Sequence, residues 1–165
     1  MTYVDYEFYC DWCGNEMDEQ QFSRLNKQAE RYINKATVGV DGVKKLKVAF
    51  PTKEDDAEAV KICVCEVVSF LYKLKKTEED LSKTNAYIEK TDGTLQGRVI
   101  SSISSGNESI SFANIKNETV VTRAISNAKT KENEIFEIIK NGLSGIRDRN
   151  GINLLYMGPY PYEVQ

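Results

Sequence analysis

The four cysteines form two close pairs whose spacing is typical of metal-binding or redox-active thiols. Cys10 and Cys13 form a CxxC motif, and Cys63 and Cys65 form a CxC motif. Four thiolates can enclose one tetrahedral zinc ion. However, the second pair lies within a predicted helix, where residues two apart diverge by about 200°. A redox role for the CxxC is disfavoured because no βαβ pattern surrounds it. Zinc at these four cysteines is therefore a minor alternative, and neither a metal nor a cofactor is expected.

Other residue types that carry catalysis are missing or have simpler explanations. The chain contains no histidine, the commonest general base. It has no GxxxxGK[ST] or GxGxxG motif with which to bind phosphates. The dense carboxylate cluster at 54–58 is explained by the preference for anions in the first turn of a helix. We therefore do not expect an enzyme.

Length and charge narrow the function classes further. A chain of 165 residues is most simply one domain with a substantial core. Its net charge of −3 disfavours nucleic acid as the main partner, because phosphate binding needs a basic stripe. No apolar run approaches the roughly 20 residues that span a bilayer, and the N-terminus lacks a basic leader region. We expect a protein made in the cytoplasm with reduced thiols and no membrane partner.

Apolar periodicity predicts a mainly α-helical fold, a small bundle around a central helix at about 53–76. The central helix has one apolar seam, formed by Ala57, Val60, Val64, Val67, Leu71 and Leu74. Before it, a short aromatic helix is expected to end near Gly14, and Asp18 is expected to cap a second helix that reaches Ala36. A last helix is predicted over 118–146. Its apolar side consists of Val121, Ile125, Ala128, Ile135, Ile139 and Leu143.

A serine-rich stretch at about 97–112 predicts a projecting β-hairpin or loop. Apolar and polar residues alternate on both sides of a turn at Ser105–Asn107. Ordering such an element costs entropy and adds little core, so we interpret it as a surface for a partner. The candidate contact residues are Val99, Ile103, Ile110 and Phe112.

The C-terminal tail is the second candidate interface. An apolar run, Leu154, Leu155, Tyr156 and Met157, is followed by prolines that favour extended backbone. The run either packs back on its own chain or docks on a neighbouring subunit. On the second interpretation, deletion of 152–165 abolishes docking and leaves the helical fold intact.

The predicted organisation is a single domain over 1–165. It has a helical body at 1–90 and 118–146, a hairpin or loop insertion at 91–117 and a docking tail at 147–165. The first 20 residues sum to −6, whereas residues 21–76 sum to +5. An acidic end and a basic body suit heterologous, head-to-tail contacts that close into rings, although a solvated acidic end explains the charge equally well.

The order of these features resembles that of the head–tail connector proteins, also called adaptor or head-completion proteins, of tailed bacteriophages and prophages of Gram-positive bacteria. The similarity lies mainly in the segment from Ile100-Ser101-Ser102 to Ser109-Ile110-Ser111-Phe112 and in the ending Gly151-Ile152-Asn153-Leu154-Leu155-Tyr156-Met157-Gly158. The short helix at Tyr3–Tyr9 and the helix after Asp18 also follow the family's order. Met157 stands where the family pattern leads us to expect arginine.

The resemblance implies a non-enzymatic structural virion protein. Such proteins form a ring, typically of twelve copies, between the portal and a stopper or tail-completion protein. The ring extends a channel through which genomic DNA passes without specific binding. Two alternatives are a small cysteine–zinc regulatory module and a monomeric adaptor that binds one partner through Tyr3–Trp12.

Overall fold

The structure is a computed structural model that describes residues 2–83, 87–89, 95–104, 109–114 and 127–161. It confirms that the chain is mainly helical. The described elements are α1 (Tyr6–Cys13), α2 (Glu19–Ala36), α3 (Lys45–Val48), α4 (Glu54–Lys83), β1 (Tyr87–Glu89), β2 (Leu95–Ser104), β3 (Ser109–Asn114) and α5 (Ala128–Gly142).

The chain divides into two compact units. The first contains Met1–Leu71 and Ile135–Gln165, and the second contains Tyr72–Glu134. The first unit holds most of the described core and all of the contacts that hold the C-terminal tail. The organisation as one domain stays a prediction.

The first two helices begin and end where their capping residues predict. The Asp5 side chain accepts a hydrogen bond from the Phe8 amide at 2.9 Å, and Asp18 accepts one from the Gln21 amide at 2.7 Å. Each carboxylate satisfies an amide that the first helical turn leaves without a backbone partner. Gly14 ends α1 with φ of 82°, a conformation that favours glycine. The predicted end of α1 and the predicted bounds of α2 are therefore confirmed.

The predicted apolar seam of α4 is buried in the described residues apart from Ala57, which is half-buried, and α2 has a buried apolar stripe of its own. Burial of each large aliphatic side chain contributes about 1.5–3 kcal/mol to stability. The buried apolar residues of α2 are Phe22, Leu25, Ala29 and Ile33, and those of α4 are Val60, Cys63, Val64, Cys65, Val67, Val68, Leu71 and Leu74.

The central helix is longer than predicted. It begins at Glu54, where the Lys53 carbonyl accepts the Ala57 amide at 2.9 Å, and it continues through the polar tract to Lys83. Residues with good helix propensity extend a helix even where the apolar stripe has ended. An exposed pair between Lys75 and Glu79, at 3.7 Å and one turn apart, occurs in this extension.

The serine-rich region contains the predicted antiparallel pair. β2 pairs with β3, and β1 adds a third strand in the order β1-β2-β3. The predicted helical body to residue 90 was therefore wrong at Tyr87–Glu89, where backbone pairing with β2 outweighs helix formation. The predicted turn at Ser105–Asn107 lies outside the described residues.

The last helix is shorter than predicted at its described end. It ends at Gly142, and the turn that follows includes Gly145 with φ of 79°. Ile135, Ile139 and Leu143 are buried as predicted. Ala128, which was predicted on the apolar side, is exposed in the first turn, where the Asn127 side chain accepts the Lys129 amide at 2.9 Å. The part of the prediction at 118–126, including Val121 and Ile125, lies outside the described residues.

Candidate interaction surface

A buried lysine holds the C-terminal tail against α3 within the first unit. Lys45 lies in α3 and is 0% exposed. Its ammonium donates to the Leu154 carbonyl at 3.1 Å and also to the Tyr156 carbonyl. Burial lowers the pKa of Lys45 below its ordinary value, while the charges of Asp148 and Asp41 oppose that shift. The hydrogen bonds offset part of the cost of removing the ammonium from water.

A second polar contact involves the buried carboxylate of Asp148. One of its oxygens accepts the Asn150 and Ile152 amides at 2.9 and 2.8 Å, which shapes the turn before the tail. The other oxygen accepts the Tyr160 hydroxyl at 2.6 Å. The same hydroxyl accepts the Asn150 side-chain amide at 2.9 Å. Asp148 therefore joins the beginning of the tail to its proline-rich end.

Asp41 joins that end of the tail to the turn after α2. Its carboxylate accepts the Tyr160 amide at 2.5 Å and the Val43 amide at 3.1 Å. These backbone amides, with Tyr160 contributing most, lower the pKa of the Asp41 carboxyl below its ordinary value. The loop and the tail are thus held by a charged acceptor as well as by apolar packing.

The structure places the predicted tail residues in two different environments. Leu154 is 0% exposed and its amide donates to the Ile146 carbonyl at 3.0 Å, so it belongs to the core of its own chain. Leu155 is partly buried, whereas Tyr156 and Met157 are exposed. The first half of the apolar run thus packs back on the chain, and only the second half is available to a partner.

The exposed half of the run lies beside another exposed apolar residue. Val40 is 76% exposed and donates its amide to the Met157 carbonyl at 3.0 Å. The turn after α2 and the tail approach so closely here that a Cβ on Gly39 would lie 2.7 Å from the Gly158 carbonyl oxygen. We call the group Val40, Tyr156 and Met157 the tail patch. It brings together residues more than 100 positions apart in the sequence.

Basic residues adjoin the tail patch in the sequence and the backbone. Exposed Lys44 pairs with Val38 across the turn that carries Val40, and exposed Lys47 follows in α3. Arg147 is exposed and its backbone pairs with Asn153, just before the tail run. Asp41 in the same turn contributes one negative charge against these three positive charges. The tail patch therefore lies in a region with several exposed positive charges.

The aromatic residues near the N-terminus also separate into two groups. Tyr3 and Tyr9 are buried; Tyr3 stacks on Phe50 and Tyr9 packs against Phe22, with ring centroids 5.7 and 5.0 Å apart. Most of this cluster therefore attaches α1 to the body. Trp12 is instead 53% exposed in a helix whose charged residues, Glu7 and Asp11, are acidic.

Trp12 and the tail patch lie toward opposite ends of α2. Tyr6 and Tyr9 of α1 contact Phe22 in the first turns of α2, and the Tyr6 hydroxyl donates to the Met17 carbonyl just before it. Val40 follows the end of α2 by a few residues. A helix rises 1.5 Å per residue, so the 18 residues of α2 span about 27 Å between the end that contacts α1 and the end that leads to Val40.

The four cysteines do not converge. Cys63 faces Gly142 of α5, where a Cβ on the glycine would lie 3.0 Å from the Cys63 sulfur. Cys65 lies one turn before Ser69, whose hydroxyl donates to the sulfur of Cys13 in α1 at 3.4 Å. Within the part of the chain that the structure describes, no three cysteine or acidic side chains are grouped as metal ligands. The divergence of Cys63 and Cys65 agrees with the helical geometry used above to disfavour a four-cysteine zinc site.

The predicted hairpin contacts occupy definite positions in the sheet. Ile103 pairs with Ile110, Val99 pairs with Ala113, and Phe112 pairs with Ile100. An irregularity between Ile100 and Ser102 interrupts the strict alternation from which we selected these residues. Their role as partner contacts stays a prediction.

Lys45 and Asp148 were not predicted to hold the tail. Lysine is rarely buried, so nothing local in Lys44-Lys45-Leu46-Lys47 distinguishes the buried member. Asp148 had a usable signal, since Asp-Arg-Asn-Gly at 148–151 is typical of a side-chain-stabilised turn.

The described helices include none that is long and apolar enough to cross a lipid bilayer. Comparison of the chain with protein families, curated proteins and solved structures finds no match.

Proposed function

We propose that this protein is a structural component of a bacteriophage or prophage virion, a head–tail connector that assembles into a ring between the portal and a stopper or tail-completion protein. The main support is the pair of exposed apolar sites toward opposite ends of α2, one in an acidic helix and one in a basic region. The sequence resemblance supplies the more specific identity. Genomic DNA would pass through the ring without specific binding, and the protein would act without catalysis.

Two different sites on one chain suit heterologous assembly. In a head-to-tail contact, one surface of a copy meets a different surface of the next copy, and repetition closes a ring when the rotation permits. Trp12 is a strong candidate anchor because tryptophan is enriched at the centres of interfaces. The tail patch offers Met157 and Tyr156 as apolar partners, and charge complementarity between Asp11 and Lys44 would set the orientation.

The test is light scattering after size exclusion over a concentration series, at low and high salt. The wild-type chain is expected to form concentration-dependent oligomers that electron microscopy images as rings. The variants Trp12→Ala and Met157→Ser are each expected to shift the protein toward monomer. Tyr72→Ala serves as a matched control, because it alters a partly exposed aromatic residue of α4 outside both sites.

A photo-crosslinking amino acid at position 12 identifies the contact directly. It is expected to link to the peptide that contains Met157 of another copy, and mass spectrometry locates the link. A strictly monomeric chain that gives no such link would contradict the head-to-tail contact and the connector proposal built on it. Chelator-sensitive folding would instead favour the cysteine–zinc module.

A further inference from the structure

Cys13 and Cys65 belong to two short polar ladders that face each other in the first unit. Tyr9 and Cys13 are one turn apart on α1, and Cys65 and Ser69 are one turn apart on α4. The Tyr9 hydroxyl lies 3.2 Å from the Ser69 hydroxyl, which donates to the Cys13 sulfur at 3.4 Å. Cys65 lies one turn before Ser69 and so on the side of α4 that faces Cys13. The two helices are thus joined by hydrogen bonds between polar side chains.

We propose that Cys13 and Cys65 form a disulfide under oxidising conditions and thereby link α1 covalently to α4. The inference rests on the facing ladders and is independent of the proposed connector function. The other two thiols lie elsewhere: Cys63 faces α5, and Cys10 lies one turn before Cys13 on α1. Cys13 is therefore the cysteine of the CxxC motif that has a partner on another helix.

The burial of the two thiols sets the order of the chemical steps. Cys65 is 0% exposed, and burial raises the pKa of its thiol to about 12, so it is protonated and inaccessible at neutral pH. Cys13 is partly exposed and is the site that a small oxidant can reach. With a peroxide as oxidant, the Cys13 sulfur is first oxidised to a sulfenic acid, and one water molecule leaves.

The second step closes the disulfide. The Cys65 sulfur attacks the Cys13 sulfur, the S–S bond forms as the S–O bond breaks, and the departing hydroxide takes the Cys65 proton as a second water. In total, two thiols lose two electrons and two protons, and one hydrogen peroxide is reduced to two waters. A thiol reductant reverses the change. The result is a covalent attachment for the short α1, in addition to its aromatic contacts and the Tyr9–Ser69 hydrogen bond.

The experiment treats the full chain with hydrogen peroxide, alkylates the remaining thiols and measures the intact mass. The reduced protein carries four reactive thiols once it is unfolded, and the oxidised protein is expected to carry two. After tryptic digestion of the oxidised protein, the peptide 1–24 is expected to remain joined to the peptide 62–73 by the disulfide. Because each peptide contains two cysteines, variants must identify the pair.

The informative variant is C10A/C63A, which retains Cys13 and Cys65, and its matched control is C13A/C65A. Oxidation is expected to join the two peptides in the first variant, to raise its midpoint of unfolding in urea, and to join nothing in the control. Circular dichroism before oxidation checks that both variants fold. A link that also forms in the control, a bond between Cys10 and Cys13, or disulfide-linked dimers in place of the internal link would each overturn the proposal. If a double variant fails to fold, the single variants C13A and C65A replace it, and loss of the internal link in each of them is the expected result.

Discussion

Replacing Leu154 with alanine should destabilise the protein severely, although the residue lies in an apparently peripheral tail. Leu154 is 0% exposed, and its backbone is held at both sides, by its amide to Ile146 and by its carbonyl to Lys45. A backbone held in this way cannot easily collapse into the cavity that the substitution creates. Buried leucine-to-alanine changes cost about 2.7–5 kcal/mol, and this site should fall near 3–4 kcal/mol.

Urea unfolding followed by circular dichroism measures this loss, and thermal unfolding provides a second value. For a chain of this size, a loss of about 3–4 kcal/mol lowers Tm by roughly 6–15 °C. Leu155→Ala is the matched control, because it removes the same atoms from the adjacent, partly buried position. We expect the control to cost less than about 1.5 kcal/mol, in proportion to its smaller burial.

The reasoning is refuted if Leu154→Ala remains within about 0.5 kcal/mol of the wild type, or if the two variants lose equal stability. Either result would mean that the tail is not part of the core. The same packing reverses the expectation that deletion of 152–165 leaves the fold intact. The deletion removes Leu154, Tyr160 and both carbonyl acceptors of Lys45, so the truncated chain should unfold at lower urea concentrations.

Three further predictions test the polar contacts of the tail. Lys45→Met should lower the free energy of unfolding in urea by about 2–3 kcal/mol, because two tail carbonyls lose a charged donor while the apolar part of the side chain is kept. A variant as stable as the wild type would contradict this. Tyr160→Phe should lower the free energy of unfolding, measured by thermal unfolding, by about 1.5–3 kcal/mol, because the buried Asp148 carboxylate loses its hydroxyl donor. The control Tyr156→Phe changes an exposed ring and should lower it far less. The pKa of Asp41 in the folded protein lies below its ordinary value of 3.8, so the stability that its carboxylate contributes is present above pH 3.8 and is lost as the pH falls through the lower folded pKa. The stability advantage of the wild type over Asp41→Asn should therefore shrink as the pH falls through this window. An advantage that stays constant would exclude the carboxylate as its source.

The helices could be predicted because their determinants are local. Asp18 caps α2 and Gly14 ends α1, and both act within a few residues of their own position. The stripe from Phe22 to Ile33 repeats with the period of the helix, so burial follows from spacing alone. The end of α4 was misplaced because polar helix formers carry no apolar period.

The residues that hold the tail could not be predicted in the same way. Leu154 and Tyr156 are both apolar or aromatic and only two positions apart, yet one is in the core and the other is exposed. Lys44 and Lys45 are the same residue type, yet only the second is buried. No local pattern separates the members of either pair, because their environments depend on chain segments more than 100 positions away.

The sequence by itself determined the mainly helical class, the caps of α1 and α2 and the apolar seam of α4. These features depend on backbone periodicity and on hydrogen bonds between near neighbours, and both are specified by the local sequence. The tertiary structure alone decided that Lys45 binds the tail, that Leu154 is core, and that Cys13 lies against Ser69 of α4, one turn from Cys65. Burial and pairing of this kind depend on which distant surfaces exclude water from one another, and that is settled only when the helices pack.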